Sequence, residues 1–124
     1  MPMIFVYGVP KETSEGLLLE LMNDYKRIVS GISELHFEQD MVSVFFPTDL
    51  MLERPGSEVV IFVRSLYEKS ERTKDVIQRI ARELGFRTKE YFPNSLVECF
   101  IDTIGVDQVF RCWSSYDMDQ RFRK

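Results

Sequence analysis

Cysteine, histidine and tryptophan are scarce in this chain of 124 residues, which has two, one and one of them. Cys99 and Cys112 show neither a CxxC spacing nor the count of a disulfide framework, so a stapled secreted scaffold is excluded and both read as reduced and mostly structural. The single histidine, His36, gives no metal set, and between Leu35 and Phe37 it reads as a hydrogen-bonded structural residue. Basic residues are outnumbered 16 to 20, and the net charge of -4 argues against a general nucleic-acid binder and offers no polybasic membrane anchor. No apolar run approaches the roughly 20 residues of a membrane span. No Ser-His-Asp arrangement, P-loop or Gly-rich dinucleotide turn is present. The apolar opening, residues 3–9, lacks a basic flank and stops at Gly8–Val9–Pro10, so it reads as a first strand and not as a signal peptide. The expectation is a soluble cytoplasmic protein, and 44% apolar content over this length suits one core.

Against those absences stands a repeat. Ile4–Phe5–Val6 recurs as Ile61–Phe62–Val63, 57 residues on, and Thr13–Ser14–Glu15 faces Ser70–Glu71–Arg72 at the same offset as a second helix start. At an offset of 55, Leu21, Met22, Tyr25 and Val29 face Val76, Ile77, Ile80 and Leu84, each set spaced as one buried helical face. Gly31 and Gly85 then read as helix C-caps. At 55 again, Met41 to Phe46 meets Leu96 to Ile101, a second pair of β-branched and aromatic strands. The predicted fold is α+β: a tandem β-α-β repeat in which each crossover helix joins parallel strands, giving a four-stranded mixed sheet with two helices on one face.

The half-repeats span about 2–50 and 58–104 of a single domain over 1–113. Between them, Pro47–Thr48–Asp49 and Arg54–Pro55–Gly56–Ser57 are loop chemistry around a packed Leu50–Met51–Leu52. Residues 109–113 read as an extra strand of the kind that pairs with another subunit's edge, and the polar tail 114–124 is expected to be loosely ordered. A ferredoxin-like regulatory domain, which would be a dimer, is also writable as two β-α-β units, so strand order stays open at this point.

Pro2 carries the chemistry. Methionine before proline is a start at which the initiator is commonly removed, which would leave Pro2 as a free secondary amine titrating at roughly 8, and lower beside apolar groups or cations. Such an amine is a general base or nucleophile at neutral pH. Arg64, within an apolar strand, is costly unless paired or placed at a cleft, and reads either as an anion holder or as a partner of Glu58, Glu98 or Asp102. Glu98 reads either as a second acid/base group facing the proline or as the partner of Arg64. Trp113 and Phe110 either wall an apolar pocket or pack the last strand.

The run Pro2–Met3–Ile4–Phe5–Val6, then Val9–Pro10–Lys11, then Leu18 to Leu21, resembles the opening of macrophage migration inhibitory factor and its relatives in the tautomerase superfamily. The likeness continues through Phe46–Pro47–Thr48–Asp49–Leu50–Met51, Gly56–Ser57–Glu58 and Ser65–Leu66, and more weakly to Trp113. This resemblance implies a homotrimer with a site at each subunit boundary around the terminal proline, which moves a proton in keto–enol isomerisation or assists hydration and dehalogenation of small unsaturated acids. It implies an anionic keto, enol or unsaturated acid as substrate, no nucleic-acid or membrane partner, and no metal or organic cofactor. Pro2 matches the catalytic proline. Lys69, where members place a basic residue or a pocket wall, is the second site residue, with a helix N-terminus expected beside it. Glu98 and Phe100 stand where the family's last strand has tyrosine and asparagine, and His36 lies where members carry a lysine before the second strand. The arginine pair of the dehalogenase-like branch is replaced by Glu68–Lys69–Ser70–Glu71–Arg72. A non-catalytic trimer of the same fold that binds a ligand or a protein is the alternative.

Overall fold

The computed structural model describes residues 2–48 and 57–110. Two helices and four strands follow the order β1 (Met3–Tyr7), α1 (Glu15–Gly31), β2 (Ser43–Phe45), β3 (Glu58–Tyr67), α2 (Lys74–Tyr91) and β4 (Leu96–Ile104). Short 3-10 helices occupy Ser33–Leu35, Gln39–Met41 and Val106–Gln108.

The strands form one sheet ordered β2-β1-β3-β4, parallel within each half and antiparallel between β1 and β3 at its centre. In the split ferredoxin-like arrangement the two strands of a β-α-β unit are separated, whereas here each unit pairs its own strands, so the ferredoxin-like alternative is excluded. The repeated triplet pairs with its own copy: Ile4 with Val63, Phe5 with Phe62, Val6 with Ile61. An approximate two-fold axis therefore passes between Phe5 and Phe62.

Strand alternation sorts the side chains. Ile4, Val6, Val59, Ile61 and Val63 turn to one face, where they are buried with Leu21, Tyr25 and Val29 of α1 and Val76, Ile80 and Leu84 of α2. Burying each of these side chains is worth about 1.5–3 kcal/mol. The opposite face carries an aromatic row, because Phe45, Phe5, Phe62 and Phe100 are register partners across all four strands. Phe5 stacks on Phe45 with centroids 5.0 Å apart, and Phe62 on Phe100 at 5.5 Å. Phe45 and Phe100 remain 44% and 46% exposed, so the described residues do not cover this face.

The helices differ from expectation in phase. Their N-caps are Ser14 and Thr73, whose hydroxyls accept from the Leu17 and Val76 amides, so the halves match here at an offset of 59. On that alignment Leu21 faces Ile80, Tyr25 faces Leu84 and Val29 faces Thr88. An offset of 55 lands one helical turn away on the same face, which is why apolar spacing could not distinguish the two. The start at Ser70 to Arg72 is thereby corrected: the Ser70 hydroxyl donates to the Glu71 carboxylate at 3.2 Å and caps nothing. Gly85 is likewise corrected. It lies inside α2, which continues to Tyr91 because Leu84, Thr88 and then Phe92 keep the buried stripe going, and Pro93 follows. Gly31 does end α1.

The loop residues 49–56, Cys112, Trp113 and the tail lie outside the described residues. Of the proposed extra strand 109–113, Val109 and Phe110 are described and are not in a strand, and Phe110 is 90% exposed.

Candidate functional site

Parallel pairing within each half and antiparallel pairing between halves bring one set of chain segments to a single end of the sheet. Pro2 lies there just before β1, the connection 32–42 arrives there from α1, and β3 ends there in the loop that leads to α2. Pro2 is buried, and its carbonyl accepts the Ser43 amide at 3.2 Å, which fixes the start of β1 against β2.

Beside this point β3 is distorted. Met3 pairs with Arg64, which places Ser65 level with Pro2, and Ser65 has φ 65 where the pairing with β4 slips between Val63 and Leu66. The slip inserts one residue, so the buried series Val59, Ile61, Val63 resumes at Leu66. Its counterpart 57 residues earlier is Gly8, with φ 84. Both halves thus take a left-handed step here, Gly8 just past the end of β1 and Ser65 as a bulge within β3, but only the first uses the residue that takes it without strain.

The remaining sequence candidates are dispersed. Lys69 is exposed in the β3–α2 loop, and its carbonyl accepts the Arg72 amide at 3.0 Å. The helix it was expected to abut begins at Lys74, so Lys69 stands about a turn short of the dipole end. Arg64 is on the open face, with its guanidinium carbon 5.6 Å from the Phe5 centroid and 4.9 Å from that of Phe62. No carboxylate pairs with Arg64 among the described residues, so the ion pair with Glu98 or Asp102 is corrected to a cation–π contact. Register separates Glu98 from Arg64, whereas Asp102, between the partners of Val63 and Leu66, is level with Arg64 and still forms no ion pair with it. Glu98 lies opposite Val60, itself opposite Tyr7, some five residues along the sheet from Pro2, a separation of about 15 Å at the rise of a strand. Phe100, level with Phe5, is about 10 Å from the Pro2 level by the same measure. Both project from the face opposite the helices, so within one protomer neither Glu98 nor Phe100 is brought to the proline.

The 35–37 turn and Arg72 close the end. His36 is exposed and takes a left-handed φ of 57 after the 3-10 helix, with its amide donating to the Ser33 carbonyl at 3.2 Å. Arg72 is buried beneath Phe37, and desolvation lowers its pKa from the ordinary guanidinium value. Sequence reasoning read Arg72 only as part of a helix start and of a charged run. Ser65 was recoverable, since extending the repeat two residues beyond Val6 and Val63 sets Gly8 against it.

Two other places carry less chemistry. The Cys99 thiol packs against the core, and burial pushes its pKa up to about 12, leaving it protonated at neutral pH. A groove of about 380 Å³ between the helices is lined by Arg27, Arg79, Phe86 and Arg87 among others. Its arginines are already paired, Arg27 and Arg87 with Asp24 and Arg79 with Glu83. Among the described residues no cluster of His, Cys, Asp or Glu could hold a metal ion, and no helix is long and apolar enough to cross a membrane.

No protein-family model and no curated protein matches this sequence. Solved structures match its shape. A fused 4-OT described as an asymmetric trimer superposes with a TM-score of 0.67 at 14% identity, over 94% of this chain and 98% of that one. Macrophage migration inhibitory factor from Toxoplasma gondii gives 0.60 at 17% identity over 89% and 94%. A member of the cis-3-chloroacrylic acid dehalogenase family gives 0.65 at 12% identity over 88% and 79%. These are structures of the tautomerase superfamily, and the chain has their fold.

Proposed function

We propose that the protein is a tautomerase-like isomerase that works without a cofactor and uses Pro2 as general acid/base on a small anionic keto, enol or unsaturated acid. The observation that carries the reading is the position of Pro2: a buried proline immediately before the first strand at the end of a tautomerase-type sheet, where the 32–42 connection, the strained Ser65 step and the β3–α2 loop converge. Removal of Met1 would turn its nitrogen into a secondary amine, and burial would disfavour the ammonium form and draw the pKa toward neutrality. The amine would take a proton from the carbon next to the substrate's carbonyl and return it at the other end of the enol. Lys69 is the cation we assign to the substrate carboxylate, where it would also stabilise the developing enolate.

The assembly we favour is a homotrimer. An uncovered face with Phe45 and Phe100 nearly half exposed and Tyr7 at 37% is a surface that association would bury. In such an assembly Arg64, Glu98 and Phe100 would belong to the boundary between copies, which is how Glu98 and Phe100 could reach a neighbour's proline.

The test has two steps. Intact mass of the expressed protein should show loss of Met1, and Pro2→Ala should lower keto–enol turnover of small α-keto acids by at least ~100-fold, the scale of a positioned acid/base group. Retained methionine, or equal rates in the two proteins, would remove Pro2 from the mechanism and favour a non-catalytic binding oligomer of this fold.

A further inference from the structure

Arg72 is a buried cation, 9% exposed, with no ion pair among the described residues. Its two terminal nitrogens instead donate to backbone carbonyls, one to Tyr67 at the end of β3 at 2.7 Å and the other to Leu35 at 3.2 Å. The guanidinium lies 4.9 Å from the Phe37 centroid, and its Nε is buried with no partner. Burying a charge on such terms is costly, so the arrangement has to secure something in return.

What it joins is specific. Leu35 ends the 3-10 helix of the first half's α1–β2 connection, and Tyr67 ends the central strand of the second half. Carbonyls at the end of a helix lack internal partners, and the Leu35 carbonyl finds its partner in Arg72. The next residue, His36, makes the left-handed turn that carries Phe37, and the same connection runs on to Ser43, whose amide holds Pro2. A planar fork can reach two carbonyls on different segments from two separate nitrogens, whereas the three donors of a lysine all radiate from one nitrogen.

We infer that Arg72 is a positioning residue: it fastens the α1–β2 connection to the end of β3, so that the His36–Phe37 turn is held as a fixed wall at the Pro2 end of the sheet. The effect on the site rests on the role proposed for Pro2, whereas the fastening does not.

Amide hydrogen exchange on the full chain tests the fastening, comparing wild type with Arg72→Lys and Arg72→Met. The Leu35 and His36 amides, which donate to Ile32 and Ser33, are the reporters, and Ile61 and Leu84 are the core reference. Both variants should exchange about tenfold faster at Leu35 and His36, with the core amides close to wild type, as for a local opening. Wild-type protection at the reporters, or an equal loss throughout the core, overturns the fastening. Should neither variant fold, Phe37→Leu carries the test, since it keeps Arg72 and removes the covering ring. Faster exchange confined to Leu35 and His36 supports the fastening, and none overturns it.

The site is read separately, from the pH profile of Pro2 amine alkylation in chain that has lost Met1. A shifted midpoint in Arg72→Lys supports positioning, and an unchanged midpoint beside a loosened turn overturns it. If Met1 is retained, the Pro2 reading fails while the exchange result still decides the fastening.

Discussion

The two halves of the molecule share one plan and spend their residues differently. In the first, an eleven-residue connection, 32–42, with two 3-10 helices leads into a strand of three residues, Ser43–Phe45; in the second, four residues, 92–95, lead into the nine-residue strand Leu96–Ile104. The short connection is closed by bonds around Ser95, which is buried: its hydroxyl shares a hydrogen bond with Ser57 at 2.7 Å, and the Lys89 ammonium donates to its carbonyl at 2.5 Å. The long connection is held by Arg72, a residue of the other half. Duplication thus supplies a symmetric frame, and the departures from symmetry gather at the Pro2 end.

If the halves contribute equally to one core, Leu21→Ala in α1 and Ile80→Ala in α2 should each lower stability by about 2–5 kcal/mol, since both side chains are fully buried at equivalent positions. Denaturant titration measures this. Unequal losses would show that one helix relaxes around the cavity better than the other.

A smaller effect tests the shared left-handed step. Gly8→Ser should cost about 1–2 kcal/mol, the penalty of a side chain at positive φ, while Ser65→Gly should stabilise by at most about 1 kcal/mol because glycine also frees the unfolded chain. Loss of stability in Ser65→Gly would mean that the serine side chain repays the strain through contacts at the Pro2 end.

The gentlest test is pH. Burial holds the Tyr25 hydroxyl and the Cys99 thiol above their ordinary pKa values, and Tyr91, by desolvation and its bond to Asp24, is raised to about 12. The unfolded chain therefore releases these protons first. The stability they contribute is fully present below the unfolded values, about 8.5 for Cys and 10 for Tyr, and is lost as pH rises through them toward the folded values. A melting temperature that falls from about pH 9 upward, less steeply in Tyr25→Phe, is the expected result. Tyr25 bridges the helices: the Thr88 hydroxyl donates to the Leu84 carbonyl at 2.7 Å, so Tyr25 must be the donor to Thr88. An alkaline profile identical in the variant would remove this bridge from the pH response.

Much of the frame could be read from the residues. Offsets of 57 for Phe5 and Phe62 and of 55 for Phe45 and Phe100 foretold four strands, and only the strand order made their partners a continuous row. The helix alignment slipped by a turn because apolar positions recur every three to four residues, and only the hydroxyl caps at Ser14 and Thr73 fix the phase. Pro2 was visible as chemistry, and Arg72 was not, because a buried arginine bonded to carbonyls has the same sequence signature as a solvated one.

Local propensity and periodicity determined the elements and the buried faces, since each depends on residues close together in the chain, and laying the chain on itself gave the duplication. Strand order, the gathering of Pro2, Ser65, His36 and Arg72 at one end, and the separation of Glu98 from Pro2 depend on pairings between residues tens of positions apart. Those were fixed when two similar β-α-β units, each with one apolar sheet face to hide, joined back to back through their first strands.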